Sequence, residues 1–403
     1  MRCGLLGRKL GHSYSPAIHA LLGDYEYRLY EKEPEELERF LRNSDWDGIN
    51  VTIPYKKDVI PYLDELSPAA QKIGAVNTIV RRGERLIGHN TDYFGFKSMV
   101  EKSRLSVAGK KCLVLGSGGA SNTAVGALRE LGANVVVISR TGENNYDNLH
   151  LHVDASVIIN ATPVGMYPNT GISPVDISLF PKLDGVLDIV YNPARTQLLL
   201  DAENRGIVSM NGLWMLVAQA KESSEWFANC SIPDVKITQI YGILRAQMEN
   251  IVLVGMPGCG KSTVGKLVAG QTGKQFVDAD EKIVELAGKP IPMIFDEDGE
   301  EVFRDWETKA LSELAKRSGL VIATGGGCVT KARNYPLLHQ NGVIYWLQRD
   351  LDQLPTDGRP LSQSNKLSDL YAVRKSMNAR FADKIIGNNG APEAAAQAIG
   401  EDL

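Results

Sequence analysis

The stretch IVLVGMPGCGKSTVGKL, Ile251 to Leu267, decides how the last third of the chain folds. An apolar run ends in Gly255, four residues intervene, and Gly260-Lys261-Ser262 opens a helical segment, TVGKLVAGQTG. A strand that turns through glycines into a helix aims backbone N–H groups and the positive helix end at one point, the geometry that cradles phosphate. The pattern is a complete P-loop, with Gly258, Gly260, Lys261, Ser262 and Thr263 as its contact positions. Its amides would surround a β-phosphate, Lys261 would reach the transferred group, and the Ser262 hydroxyl would bind magnesium. The loop therefore calls for ATP or another nucleoside triphosphate and Mg²⁺. Alone it leaves kinases, GTPases and ATPases open.

A second glycine-rich turn lies upstream in CLVLGSGGASNTAVGAL, residues 112–128. Gly116, Gly118, Gly119 and Ala120 follow one strand and open a helix, and NVVVISR supplies the next strand, which makes the smallest unit of a doubly wound sheet. Ser121 stands where a dinucleotide fingerprint has Gly or Ala. At the following strand end, where NAD enzymes place an acid for the ribose, the chain has Ser139-Arg140-Thr141. A cation there suits a 2′-phosphate and so NADP(H); the plain alternative is an exposed arginine at a strand end.

The bulk numbers are ordinary for a globular chain of two or three domains: 403 residues, formal net charge −4, 43% hydrophobic and 23% charged. No long basic run points to a nucleic-acid or membrane surface, so small anionic ligands would be held by local arginines and lysines. Five scattered cysteines without CxxC spacing suggest neither a disulfide framework nor a zinc site, and a reducing cytoplasm fits them. The sequence says nothing of oligomeric state. Residues 1–100 alternate short strands (DGINVTI, AVNTIV) with helical stretches such as PEELERFLRNS and read as a small α/β unit; 101–211 hold the second turn; 212–248 are helical and would pack back on the first unit; a third domain, 249–403, starts with almost no spacer.

The motifs GHSYSP, NVTIPYK, GAVNT, GHNTD, GSGGAS, SRT, NATPVGM, DIVYNP and NGLWMLVAQA occur in this order over the first 248 residues. With them the chain resembles the shikimate dehydrogenase family. The resemblance implies an N-terminal α/β substrate domain plus a Rossmann-type NADP domain, and reduction of 3-dehydroshikimate. It assigns catalysis to Lys56 and Asp92, with Lys57 next door as the reminder that one letter decides little. Ser13, Ser15, Thr52, Asn77, Tyr191 and Gln219 match positions that bind the substrate's carboxylate and hydroxyls; Met215 and Leu216 read as core.

From Ile251 onward the chain resembles shikimate kinase, through FVDADEKI, FRDWE, ATGGGCV and GRPL. That implies a P-loop NTPase-type kinase domain with a parallel sheet. Asp278 would lie near the metal with Ser262, and Asp280 near the attacking hydroxyl as base, both on one side of an extended segment. Arg304 would grip the carboxylate, the Gly326 N–H would assist, and Arg359 would neutralise phosphates from a lid. A second carboxylate arginine fits Arg374, although Asn378 replaces the usual Tyr of that pattern and Arg380 is the alternative. The whole then reads as a bifunctional enzyme with shikimate as shared metabolite. Two rival readings are a quinate/shikimate dehydrogenase using NAD, against which Arg140 argues, and a C-terminal nucleotide-binding regulator that has lost phosphotransfer, against which the intact Lys261, Ser262, Asp278, Asp280 and Arg304 weigh.

Overall fold

The computed structural model describes residues 1–11, 13–43, 45–354 and 367–403. They cluster into two compact units. Met1–Met166, Ile172–Tyr191 and Leu198–Ile243 form the first, and Tyr167–Gly171, Asn192–Gln197 and Leu244–Leu403 the second.

The first unit opens with β1 (Arg2–Gly7), α1 (Ser15–Leu22), β2 (Glu26–Glu31), α2 (Leu37–Asn43), β3 (Gly48–Val51), β4 (Glu65–Leu66), α3 (Pro68–Ile73), β5 (Thr78–Arg82) and β6 (Arg85–His89). Its six-stranded sheet has the order β2-β1-β3-β5-β6-β4, parallel around β1 and antiparallel along β3, β5 and β6. Trp46, Ile49, Val51, Tyr55 and Ile79 form the centre of its core, with Phe40 and Leu41 of α2 laid over them. Capping is local where the sequence supplies it: the Ser67 hydroxyl accepts from the Ala70 N–H ahead of Pro68, a proline at a position whose N–H no helix uses.

A second sheet follows from α4 (Asp92–Ser103), β7 (Lys111–Leu115), α5 (Gly119–Glu130), β8 (Asn134–Ile138), β9 (Val157–Asn160), β10 (Gly185–Asp188), α6 (Gln197–Asn204) and β11 (Val208–Met210). All five strands are parallel in the order β11-β10-β9-β7-β8. The chain leaves β7 in one direction to β8 and then returns past it to β9, so the crevice at their carboxyl ends is a topological switch point, where such sheets bind ligands. α7 (Leu213–Ala228) packs back on α1, α4 and the first sheet. Contact there is close: a Cβ on Gly48 would overlap the Phe227 ring.

After α8 (Val235–Met248) only Glu249 precedes β12 (Asn250–Val254). The second unit continues with α9 (Lys261–Thr272), β13 (Gln275–Asp278), α10 (Ala279–Ala287), α11 (Ile291–Ala315), β14 (Leu320–Ala323), α12 (Asn334–His339), β15 (Gly342–Gln348), α13 (Leu367–Phe381), β16 (Lys384–Gly387) and α14 (Pro392–Glu401). Its parallel sheet has the order β13-β14-β12-β15-β16. Every residue of β12 is buried, as a central parallel strand covered on both faces requires. Ile251 and Leu253 pack with Val264, Val268 and Ile399 on one face, while Val252 and Val254 pack with Leu311, Leu314 and Phe381 on the other. α11 is broken at Gly299, whose φ of 86° and ψ of 172° suit only glycine. Among the described residues no helix is long and apolar enough to cross a membrane.

His19 is enclosed in the first unit, stacked on Tyr27 at a centroid distance of 4.0 Å and joined through Nδ1 to the Tyr25 hydroxyl at 2.7 Å. Burial pushes its pKa down from 6.5 to about 3. The unfolded chain therefore takes up a proton near pH 6.5 that the folded unit refuses. Stability from this group is complete above pH 6.5 and declines as pH falls towards 3, by about 1.4 kcal/mol per pH unit at most. In denaturant titrations of the first unit's unfolding, His19→Gln should flatten this acid slope; an unchanged slope would show that other groups set it.

Candidate active sites

Lys56 belongs to a loop after β3 that is held from two sides: the Val76 N–H donates to its carbonyl, and the neighbouring Tyr55 is fully buried with its hydroxyl on the Lys32 carbonyl. Asp92 opens α4. The Lys56 Nζ donates to Asp92 Oδ2 at 2.6 Å, so two residues 36 apart in sequence meet as one ion pair. Both line a cavity of about 230 Å³ together with Ser13, Ser15, Thr52, Asn77, Tyr191 and Gln219, which gathers all six expected substrate positions. Lys57 is exposed and lies outside that lining. Met215 is buried with the core as expected, and the half-buried Leu216 departs from that expectation. Both line the same cavity, because the α7 turn that presents Gln219 presents their side chains too.

Behind this cavity a buried polar chain fixes the amides. Asn77 Oδ1 accepts from the Thr91 N–H at 2.7 Å, and its Nδ2 donates to Thr91 Oγ1 at 3.0 Å and Gln219 Oε1 at 3.3 Å. Gln219 Nε2 in turn donates to the Leu216 carbonyl. Ser223 links the rest: its Oγ meets Asn50 Nδ2 and Thr78 Oγ1 at 2.8 Å and Thr91 Oγ1 at 2.9 Å, and donates to the Gln219 carbonyl. Asn50, Thr78 and Thr91 lie within NVTIPYK, GAVNT and GHNTD but receive no role from the motifs, and Ser223 lies in none of them; only their convergence reveals the chain.

Ala120, in the first turn of α5, also lines the cavity, so the upstream glycine turn adjoins it. The Gly116 N–H donates to the Ile138 carbonyl, which places the turn against the strand end that leads to Ser139, Arg140 and Thr141. Arg140 and Thr141 are exposed. Gly118 and Gly119 face open space where a Cβ would stand, and they begin a helix, so a pyrophosphate has room and N–H donors there. Ser121, at the third fingerprint position, is buried, and its hydroxyl donates to the Gly116 carbonyl at 2.7 Å; the departure from Gly or Ala ties the turn shut.

The second unit has a cavity of about 590 Å³ that collects Gly258, Gly260, Lys261, Ser262, Thr263, Asp278, Asp280, Arg304, Gly326 and Arg374. Lys261 is buried, with Nζ on the carbonyls of Gly255 and Met256 at 3.1 Å each. Asp278 Oδ2 accepts from the Ser262 hydroxyl at 2.8 Å. The acids do not share an extended segment as expected. Asp278 ends β13 and caps α10, its Oδ1 accepting the Asp280 N–H, while Asp280 already lies in the first helical turn. Aspartate's affinity for a helix N-cap explains the change. Burial, and then the neighbouring Asp278 carboxylate, raise the Asp280 pKa above 3.8.

Arg304 is buried between Glu307 Oε2 at 2.9 Å and Glu300 Oε1 at 3.0 Å. Gly325 to Gly327 are glycines for three separate contacts. A Cβ on the first would press on Glu307 Oε1 at 2.7 Å, on the second against Pro257 at 2.6 Å, and on the third into the Arg304 guanidinium. Arg374 is buried with Nη1 on the Gly326 carbonyl at 3.3 Å, whereas Arg380 is exposed and outside the lining, so position favours Arg374. Asn378 is buried beside it and donates to the Arg374 carbonyl. Arg359 lies outside the described residues. The sequence reading missed Arg349, which lines the cavity from the end of β15, and the apolar wall of Ile291, Pro292, Phe295 and Phe303. An arginine directly after a parallel strand was the available signal.

Comparison with known proteins agrees with both halves. A family model described as the shikimate dehydrogenase substrate binding domain matches residues 5–79, and one described as shikimate kinase matches residues 257–403. The shikimate dehydrogenase (NADP(+)) of Clostridium beijerinckii is 35% identical, over 61% of this chain and 98% of that protein. That of Dehalococcoides mccartyi is 39% identical, over 57% of this chain and 91% of its own length. Among solved structures, a chorismate mutase/shikimate 5-dehydrogenase fusion protein from Clostridium acetobutylicum is 39% identical with a TM-score of 0.58, covering 60% of this chain and 96% of that one. Shikimate 5-dehydrogenase from Thermus thermophilus in complex with NADP(H) and shikimate is 31% identical with a TM-score of 0.55, covering 60% and 99%. The chain therefore belongs to the shikimate dehydrogenase family, and it carries a shikimate kinase domain from residue 257 onward.

Proposed function

We infer that this one polypeptide catalyses two consecutive steps, reduction of 3-dehydroshikimate to shikimate with NADPH and phosphorylation of shikimate to shikimate 3-phosphate with ATP. The observation that supports the reading is that one cavity gathers Lys56 and Asp92 with six hydroxyl and amide side chains, and the other gathers the phosphate loop with Asp278, Asp280, Arg304 and Arg374. We assign substrate binding to residues 1–100 with the helices of 212–248, NADP binding to 101–211 and the kinase to 249–403. Five cysteines far apart in sequence support a reducing, cytoplasmic setting. A coupled assay with dehydroshikimate, NADPH, ATP and Mg²⁺ tests the whole: shikimate 3-phosphate should form, and its absence would refute the reading.

In the first site Gly116 to Ala120 would hold NADP(H), with Arg140 on its 2′-phosphate, and the bound cofactor would supply the hydride. The ketone oxygen gains negative charge as it is reduced, and Lys56 is the donor that protonates it, with Asp92 holding the ammonium in place and hydrogen-bonding the substrate. Hydroxyls and amides from Ser13, Ser15, Thr52, Asn77, Tyr191 and Gln219 orient a polyhydroxy acid without burying further charge. In the second site the Ser262 hydroxyl and Asp278 carboxylate are hard oxygen donors that fit Mg²⁺. Asp280 accepts the proton of the attacking hydroxyl, Lys261 moves from its carbonyls to the transferred phosphoryl group, and Arg304 and Arg374 hold the carboxylate with help from the Gly326 N–H.

Lys56→Ala should lower the reductase rate about 10²- to 10⁴-fold, the usual worth of a positioned acid, and leave the kinase rate within about twofold. An unaltered NADPH oxidation rate would remove Lys56 from catalysis. Arg140→Ala should weaken NADPH by roughly one to two orders of magnitude and NADH hardly at all, since a charge-assisted hydrogen bond contributes about 1.5–3 kcal/mol. Equal losses for both would make Arg140 structural.

The kinase should lose activity in acid earlier than an ordinary aspartate would dictate. Only the ionised Asp280 can take a proton, and its pKa lies above 3.8. The kcat/KM for shikimate should therefore fall as pH drops through that raised value, while Asp280→Asn should be slow at every pH and lack this limb. A limb that survives in Asp280→Asn would assign the base elsewhere.

A further inference from the structure

One cation in the kinase cavity has no part in these assignments. Arg349 follows directly on β15 and lines the cavity alongside the phosphate loop, Lys261, Arg304 and Arg374. Its Nε is buried and has no hydrogen-bond partner among the described residues. A guanidinium is always charged and carries five N–H donors in a fixed fork. A buried donor of that kind is expected to meet an acceptor, and a ligand in the cavity it lines can provide one.

Strand register indicates which ligand. β12 runs between β14 and β15, with Leu253 opposite Ala323 on one side and Tyr345 on the other. The β14 side leads into Thr324 and Gly325 to Gly327, beside Asp280, Arg304 and Arg374, which is the acceptor half of the cavity. The β15 side leads to Arg349, on the opposite flank of the phosphate loop. Leu347 already touches the start of that loop, since a Cβ on Gly255 would lie 2.6 Å from the Leu347 carbonyl oxygen. The backbone just beyond Arg349 is anchored: the Asp350 N–H donates to Asn389 Oδ1 at 2.8 Å, and Asn389 Nδ2 donates to Asp350 Oδ2 at 2.9 Å. Charge points the same way. Arg304 is compensated by Glu300 and Glu307, whereas no carboxylate within ion-pair distance of Arg349 is found among the described residues.

We propose that Arg349 binds the phosphate chain of the nucleoside triphosphate, gripping it from the β15 flank while the loop amides and Lys261 hold the other side. This rests on the kinase reading above. In the full chain, Arg349→Met should weaken Mg·ATP and Mg·ADP about tenfold to a hundredfold, with adenosine binding and the KM for shikimate within about twofold of the parent. Arg349→Lys, which keeps the charge but loses the fork, should fall between. Circular dichroism and the thermal transition of each variant, set against the parent chain, serve as the control for folding of the second unit. Unchanged ATP affinity, an equal loss for adenosine, or a loss confined to the KM for shikimate would each overturn the proposal. Failure of the kinase reading would look different: the parent chain itself would show no ATP affinity that Lys261→Ala removes.

Discussion

Parallel pairing in register is the constraint on which the Gly116 turn and the kinase cavity depend. In a parallel sheet all carboxyl ends emerge on one edge, and the loops that leave them share a small space. Leu115 pairs with Ile138 and with Asn160, so the Gly116 turn, the Ser139–Thr141 segment and the start of the NATPVGM loop leave the second sheet side by side. In the third sheet Asp278 pairs with Ala323 and Val254 with Trp346, which brings Asp278, the triple glycine, the phosphate loop and Arg349 to one edge. A shift of one residue in either register would move these side chains to opposite faces of the sheet.

The two cavities then differ in how they treat charge. Among the described residues the reductase cavity holds a single ion pair, Lys56 with Asp92, amid hydroxyls and amides. One negative charge developing on one oxygen needs little more. The kinase cavity is lined by Lys261, Arg304, Arg349 and Arg374 against Asp278 and Asp280, with Glu307 buried behind Arg304. A polyphosphate and a carboxylate brought together require several fixed cations, and burying these is tolerable only where acids and backbone carbonyls satisfy them.

Features that depend on neighbours in sequence were legible before the structure. The loop from Gly255 to Ser262, the Gly116 turn, the strands around them and the helices at 213–228 and 235–248 all follow from local pattern. Lys56 and Asp92 were legible only through resemblance, because nothing local says that residues 36 apart will meet. What escaped was set by tertiary packing. Asp280 looked extended because β13 runs up to it, yet Asp278 turns the chain into a helix one residue earlier. Met215 and Leu216 look like core by composition, and whether an apolar side chain meets another or a cavity depends on what stands opposite. Arg349 follows directly on a strand, which was its one local signal, but only the strand pairing placed it beside the phosphate loop.

The buried chain behind the reductase cavity also has a direction. The Thr91 backbone N–H can only donate, so Asn77 must turn its carbonyl oxygen to it and its NH₂ to Gln219. Gln219 is thereby obliged to offer oxygen inward and nitrogen outward, with one of its N–H groups on the Leu216 carbonyl. Asn50 is set in the same sense, since its NH₂ meets Ser223 while its oxygen receives the Tyr27 hydroxyl. The Thr91 main-chain amide thus sets the polarity of Asn77 and Gln219, and the Asn77 main-chain carbonyl sets that of Asn50. Asn77 spends both of its N–H groups within the chain, so Gln219 alone among these amides keeps one N–H for a guest. At that point the wall reads a lone pair, while the hydroxyls and the Asp92 carboxylate around it remain able to accept.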